Sequence, residues 1–311
     1  MRIAVSCVLL LVLAGCDLRY ALTGFPLPVA RVSVPLPVEL AYREAKGGLV
    51  LLRGRVNGKA DVDFILDTGA PVSVLIDGTR TAGLGLDSRK ARPLGDPDNP
   101  GTPVGDIQGG FHVAFGELTL SELTAIVIPQ RTMPCAEKFE EVGFGGVIGA
   151  ALFKQFVVEV DTVARRVRLH DPVAWRPPPG ATVLPLAFRG GHPFVQARLT
   201  LADGQSFDAP MNVDIGMNRP LTLAAGSHPA LVMPATGTPR KSCYVNGMRE
   251  EREGAPALVT LGGAPFEVAA PVYSAHPNAV DGQRTSTLGV GLFKDRRIAI
   301  DYPGNRIVLL P

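Results

Sequence analysis

The stretch FILDTGAPVSVL, residues 64–75, places one carboxylate between two apolar runs. The apolar residues before and after the Asp-Thr-Gly-Ala turn are typical of buried strands. Aspartate is depleted in strands and is costly to bury without a partner. Asp67 is therefore either a turn former at the end of a strand or a carboxylate that is kept away from water because it takes part in catalysis.

An internal repeat gives this aspartate a counterpart. The segment VIGAALFKQFVVEVDTVARRVRLH, residues 147–170, aligns without a gap with TLGVGLFKDRRIAIDYPGNRIVLL, residues 287–310. The earlier segments 55–75 and 200–223 also resemble each other, and that alignment places Asp67 on Asp214. A repeated segment indicates a repeated structural unit. Each half of the chain is thus expected to carry one Asp-x-Gly turn.

The repeat divides the chain into two lobes, joined by the Pro-rich segment 174–180. Lobe 1 is predicted over residues 32–173 and lobe 2 over residues 181–311. Within each lobe, short alternating or apolar runs are separated by Gly, Pro and Asp, which is typical of an all-β protein. Helix is expected only after the Asp-x-Gly turns, as over 76–83, and in single turns at 150–154 and near Leu292.

Two β-rich lobes, each with an Asp-x-Gly turn and a later apolar segment that ends in Gly, resemble the aspartic peptidases of the retropepsin and pepsin type. Lobe 1 matches the family pattern with Asp-Thr-Gly-Ala at 67–70 and Val-Ile-Gly at 147–149. The resemblance implies two pseudo-symmetric acid-protease (retropepsin-like) β-barrel lobes in one chain. It also implies an extended peptide or protein substrate. No cofactor or metal is expected, because the sequence has no CxxC or HExxH motif and its five histidines are scattered. The residues that the resemblance assigns to the catalytic pair are Asp67 and Asp214, and those that it assigns to the supporting turns are Thr68, Gly69, Ala70, Ile215, Gly216, Gly149 and Gly289.

Paired carboxylates suit this chemistry because two of them brought close together cannot both ionise and therefore share one proton. The ionised member can take a proton from water while the protonated member donates to the scissile carbonyl. Glycine after each aspartate permits the two loops to approach closely. Apolar neighbours disfavour charge, so a mildly acidic pH optimum is expected.

Lobe 2 departs from the pattern. It reads Asp-Ile-Gly-Met at 214–217, so it lacks the hydroxyl of Thr68 and the small side chain of Ala70. Three hypotheses follow for the function. The chain is a single-chain aspartic endopeptidase, a peptidase that is active only as a homodimer through lobe 1, or a pseudoenzyme that binds peptides without cutting them. A monomer is expected over the homodimer.

Lobe 2 contains a candidate flap, which is a hairpin that closes over bound peptide. The segment CYVNGMR, residues 243–249, carries an Asn-Gly pair of the type I′ hairpin kind, and its flap residues would be Tyr244, Asn246 and Gly247. In lobe 1, the Gly-rich segment 100–110 is the corresponding candidate. An ordinary surface hairpin is the alternative in both places.

The N-terminus resembles a lipoprotein signal. A positive start, an apolar run too short to span a bilayer and the sequence Leu-Ala-Gly-Cys at 13–16 predict a signal peptide over residues 1–15 and lipid attachment at Cys16. Residues 16–31 would then be a tether. The chain is expected in a bacterial cell envelope, anchored to the membrane by lipid and facing the periplasm or another extracytoplasmic side. The alternative is an ordinary signal sequence with an incidental cysteine.

The net charge limits the classes of binding partner, and the cysteine count limits the possible disulfides. The chain has 31 Lys plus Arg against 29 Asp plus Glu and no dense basic run, so nucleic acid is not an expected partner. Cys135 and Cys243 remain after removal and lipidation of the N-terminal cysteines. In an oxidising compartment they form either a disulfide or two separate buried thiols.

Overall fold

The computed structural model describes residues 27–94, 104–133, 136–244, 247–275, 279–280 and 282–311. The predicted signal peptide, Cys16, Cys135 and Asn246 lie outside these residues. Within them, strands dominate, and the predicted all-β fold with two acid-protease-like lobes is confirmed. No helix of the described part is long and apolar enough to cross a membrane.

Lobe 1 contains the strands β1 Val29–Val32, β2 Val38–Ala41, β3 Arg43–Ala45, β4 Leu49–Val56, β5 Ala60–Leu66, β6 Ser73–Asp77, β7 Arg92–Pro93, β8 Val104–Phe115, β9 Leu118–Pro129, β10 Gly146–Ile148, β11 Val157–Asp161 and β12 Arg166–His170. Its helices are α1 Ala136–Val142 and α2 Ala150–Phe153, with short 3-10 turns at Thr79–Leu84 and Gln130–Thr132. β1 begins inside the segment 16–31 predicted as a tether, because residues 29–32 pair with β9.

Lobe 2 contains the strands β13 Thr182–Pro185, β14 Ala187–Arg189, β15 His192–Thr200, β16 Ser206–Asp214, β17 Leu221–Ala224, β18 Pro239–Tyr244, β19 Gly247–Glu253, β20 Ala257–Leu261, β21 Ala264–Val268, β22 Val272–Ser274, β23 Ala279–Val280, β24 Gln283–Arg284, β25 Thr287–Gly289, β26 Arg297–Asp301 and β27 Arg306–Leu310. A 3-10 turn spans Val290–Phe293.

The helix predicted over 76–83 starts too early. Ile76 belongs to β6 because it pairs with Ile128 of β9, and the 3-10 turn begins only at Thr79. Helix α1 was not predicted. The single turns expected at 150–154 and near Leu292 are confirmed as α2 and the 3-10 turn Val290–Phe293.

The same strand arrangement lies under each Asp-x-Gly turn. In lobe 1, β10 runs parallel to β5, with Ile148 opposite Leu66, and antiparallel to β6. In lobe 2, β25 runs parallel to β16, with Gly289 opposite Asp214, and antiparallel to β17. Both aspartates are therefore positioned at the carboxyl end of a strand that has neighbours on both sides.

A six-stranded sheet in the order β13-β27-β26-β11-β12-β2 joins the lobes across the described part of the chain. Its central pair is β11 of lobe 1 and β26 of lobe 2, which are antiparallel. Trp175 of the connector packs on one side of this sheet against Val157, Ala299 and Val308. The lobes thus share a continuous hydrogen-bonded base, which fixes the distance between their two Asp-x-Gly turns.

Candidate active site

Asp67 directly follows β5, and its backbone continues the pairing of that strand. The N–H of Asp67 donates to the carbonyl of Ile148 at 3.0 Å. The chain then turns, and the N–H of Gly69 donates to Oδ1 of Asp67 at 2.6 Å. The turn therefore holds the carboxylate through its own backbone, with part of the side chain still exposed.

Asp214 meets Asp67 across the lobes, and the two glycines make this approach possible. A Cβ added at Gly216 would overlap Cγ of Asp67 and lie 2.6 Å from both of its carboxylate oxygens. A Cβ added at Gly69 would lie 3.0 Å from Cγ of Asp214. Each aspartate thus packs on the glycine of the opposite turn, where any side chain would intrude.

The two carboxyl groups hydrogen-bond to each other. Burial raises the pKa of Asp67, and this rise is partly offset by hydrogen bonds from Asp214 and from the backbone of Gly69 and Gly216. Burial, the charge of Asp67 and the hydrogen bond to Asp67 raise the pKa of Asp214 well above its usual range. The pair therefore titrates as one unit that holds one shared proton.

Thr68 provides one half of a cross-lobe connection. Its Oγ1 donates to the carbonyl of Val213 at 2.7 Å and accepts the N–H of Ile215 at 3.0 Å. Ile215 is fully buried and has no hydroxyl with which to return these bonds. Of the two residues that follow the aspartates, only Thr68 of lobe 1 therefore makes side-chain hydrogen bonds to the opposite loop.

Tyr302, which sequence reasoning missed, compensates for part of this asymmetry. It follows β26 of lobe 2, and its hydroxyl donates to the carbonyl of Thr68 at 2.9 Å. The ring is buried, stacks on Phe153 at 5.2 Å and meets Phe188 edge-on. Burial, together with the charges of the aspartate pair, raises the pKa of Tyr302 well above its usual range, so the hydroxyl keeps its proton and remains a donor.

Thr68→Val is expected to remove both cross-lobe hydrogen bonds while keeping the shape of the side chain. The buried carbonyl of Val213 and N–H of Ile215 would lose their partner, which costs about 1–3 kcal/mol for each unsatisfied group. The free energy of unfolding, measured in urea, should fall by about 2–6 kcal/mol for the two groups together. Thr68→Ser, which keeps the hydroxyl, is the control, and equal losses in both variants would contradict this role.

The remaining supporting residues surround the turns. Gly149 and Gly289 lie behind them, where a Cβ would overlap the carbonyl of Asp67 in lobe 1 and lie 2.7 Å from that of Met217 in lobe 2. Ala70 connects the turn to α2, because its carbonyl accepts the N–H of Ala150 at 3.0 Å.

The segment predicted as a flap in lobe 2 forms a hairpin. Strands β18 and β19 pair up to Tyr244 and Gly247, and Met248 beside the tip is 54% exposed. Cys243 in this hairpin is disulfide-bonded. Because Cys135 lies outside the described residues, the Cys135–Cys243 pairing remains a prediction. In lobe 1, the candidate segment 100–110 is strand β8 from residue 104 onward.

The shared proton gives folding stability a defined pH dependence. Both carboxyl groups have a raised pKa in the folded chain, so the folded state binds protons more tightly than the unfolded state does. Their contribution to stability is full below the unfolded pKa of about 3.9 and is lost as pH rises through the folded values. Asp214→Asn should therefore raise Tm relative to wild type at pH 7–8 and less so at pH 4. An equal Tm difference at both pH values would contradict the raised pKa.

A family model described as aspartyl protease matches residues 52–152. The matched part includes Asp67 and Gly149, whereas Asp214 lies beyond it. No curated protein matches the chain. The family match supports aspartic peptidase activity in general. Among the described residues, no group of three or more His, Cys, Asp or Glu side chains is arranged to hold a metal.

Proposed function

We propose that the protein is a single-chain aspartic endopeptidase that uses Asp67 and Asp214 as its catalytic pair. The observation that carries this proposal is the packing of each aspartate on the glycine of the opposite turn, with the two carboxyl groups hydrogen-bonded. This packing disfavours a homodimer built on two copies of Asp67, because Asp214 of the same chain already occupies the position of the partner carboxylate.

In the proposed reaction, ionised Asp67 takes a proton from water as the water oxygen bonds to the scissile carbonyl carbon. Asp214 donates its proton to the carbonyl oxygen, which gives a neutral tetrahedral diol. On collapse, the diol returns a proton to Asp214, the C–N bond breaks and Asp67 passes its proton to the leaving nitrogen. The pair then again holds one proton.

The proposal is tested by incubating a mixed peptide library with soluble protein that starts after Cys16, between pH 4 and pH 7, and reading the products by mass spectrometry. The raised pKa of Asp214 extends the one-proton state toward neutral pH, so cleavage should be maximal at mildly acidic pH. An optimum as acidic as that of pepsin would contradict the role given to the raised pKa. Peptide binding without cleavage at any pH would identify a pseudoenzyme.

We further propose that the enzyme is tethered to a bacterial envelope membrane through lipid on Cys16, a residue outside the described part of the chain. The support is the sequence at 13–16 alone. Cys16→Ser should move the full chain from the membrane fraction to the soluble fraction on expression in bacteria. An unchanged distribution would contradict the lipid anchor.

A further inference from the structure

The strand faces beside the two aspartates differ in polarity, and they would form the floor of the proposed peptide-binding cleft. Side chains alternate along a strand, so the residue two positions before each aspartate lies on the same face as that aspartate. This residue is Ile65 in lobe 1 and Asn212 in lobe 2. The neighbouring strands extend each floor, because residues opposite one another in register share a face.

In lobe 2 the floor is a polar row. Asn212 lies opposite Thr287 of β25, which in turn lies opposite Thr222 of β17. These side chains are only 2%, 2% and 5% exposed, respectively. Oδ1 of Asn212 is buried and accepts no hydrogen bond from the described part of the protein. The row is thus polar and shut off from solvent.

In lobe 1 the floor is apolar and more open. Ile65 lies opposite Val147 of β10, which lies opposite Val74 of β6. Ile65 is 7% exposed, while Val74 and Val147 are only partly buried. An apolar surface of this kind beside Asp67 can receive an apolar side chain of a bound peptide.

The residue after each Asp-x-Gly accounts for the lower exposure of the polar row in lobe 2 than of the apolar row in lobe 1. Lobe 1 has Ala70 at this position and lobe 2 has Met217. The thioether of Met217 lies over the polar row, where its Sδ accepts a hydrogen bond from Oγ1 of Thr222 at 3.4 Å. The long side chain of Met217 therefore covers part of the polar row, whereas the methyl group of Ala70 is too short to cover the apolar row of lobe 1 in the same way.

Arg219 links the loop after Asp214 to the flap hairpin. Its guanidinium donates to Glu251 of β19 and to Oγ of Ser242 of β18. The side chain of Glu251 is fully buried, and Glu251 lies opposite Ser274 of β22, next to β17. The ion pair therefore joins the loop that follows Asp214 to the hairpin and holds the hairpin against the lobe 2 side of the site.

We propose that Met217 fills the substrate pocket beside Asp214, so that the enzyme cleaves between a large apolar residue and a small residue. The large residue binds against Ile65, Val74 and Val147 in lobe 1, and the small residue lies next to Met217 in lobe 2. This assignment of substrate class rests on the proposed peptidase function.

The two lobes offer a reciprocal pair of variants, Met217→Ala and Ala70→Met. For each enzyme, kcat/KM is measured on peptides with leucine or alanine at either side of one cleavage site, and the leucine-to-alanine ratio at each side is compared. These ratios cancel any change in overall activity. Wild type should prefer leucine at one side and alanine at the other. Met217→Ala should raise the ratio at the alanine side about 10-fold or more, and Ala70→Met should lower it by a similar factor at the leucine side.

A measurement of peptide binding distinguishes a failure of this inference from a failure of the catalytic proposal. The same peptides are bound by fluorescence anisotropy to proteins that also carry Asp67→Asn. If wild type cleaves nothing but the binding ratios shift as expected, the catalytic proposal fails and the pocket assignment stands. The assignment is overturned if Met217→Ala leaves both sets of ratios unchanged, if wild type prefers leucine equally at both sides, or if no variant binds peptide.

Discussion

Asp67→Asn and Asp214→Asn are each expected to reduce kcat/KM for peptide cleavage by at least about 100- to 10,000-fold, the range contributed by a positioned general acid or base. Asparagine keeps the size of the side chain but neither takes up nor gives up the shared proton. Both variants should lose activity to a similar extent, because the carboxyl groups act as one unit. Steady-state kinetics on one peptide identified from the library provides the measurement.

The control for these variants is a measurement of whether they still fold. Both should retain the wild-type circular dichroism spectrum, since an uncharged side chain at either position relieves the burial of charge. Wild-type activity in Asp214→Asn alone would remove lobe 2 from the catalytic mechanism. Such a result would favour the pairing of two Asp67 residues in a dimer.

Gly216→Ala is expected to reduce kcat/KM by about 100-fold or more, because a misplacement of about 1 Å in a catalytic group costs that much. Its new Cβ would overlap Cγ of Asp67 and force the carboxyl groups apart. The matched variant is Gly69→Ala, whose Cβ would lie 3.0 Å from Cγ of Asp214 and needs a smaller displacement. Kinetics of both variants, compared with their Tm, separates lost alignment from lost folding.

The prediction concerns which of the two glycine variants loses more activity. Gly216→Ala should be the more damaging of the pair, although the glycines hold equivalent places in the two turns. Equal activity losses, or a greater loss in Gly69→Ala, would show that the loops do not approach each other as closely as the structure indicates.

Sequence patterns predicted the local features of the site and missed its long-range ones. The apolar runs around Asp67 and the Gly-ending segment at 147–149 indicated the strands of the turn, because alternation and turn chemistry are local signals. The sequence repeat also pointed to Asp214. Neither signal indicated that β11 and β26 pair to join the lobes, because that contact connects residues far apart in the chain.

Tyr302 shows where reasoning from the repeat stops. The alignment places it on Thr162, whose hydroxyl bonds the backbone of Phe293 and Arg296 instead of an active-site turn. A comparison of the two halves therefore gave no signal for its role. Similarly, Asn212, Thr222 and Thr287 are unremarkable in separate segments. Only the strand register places them in one row beneath Met217.

The central claim, that one chain holds both halves of a catalytic pair, is tested most directly by cleavage measured across a size-exclusion profile with in-line light scattering. Soluble wild-type protein and Asp214→Asn are run separately, and each fraction is assayed on the peptide library by mass spectrometry. The account predicts wild-type cleavage that coincides with the mass of a single chain, and no cleavage in any fraction of Asp214→Asn. Activity confined to twice that mass, or retained by Asp214→Asn, would contradict it.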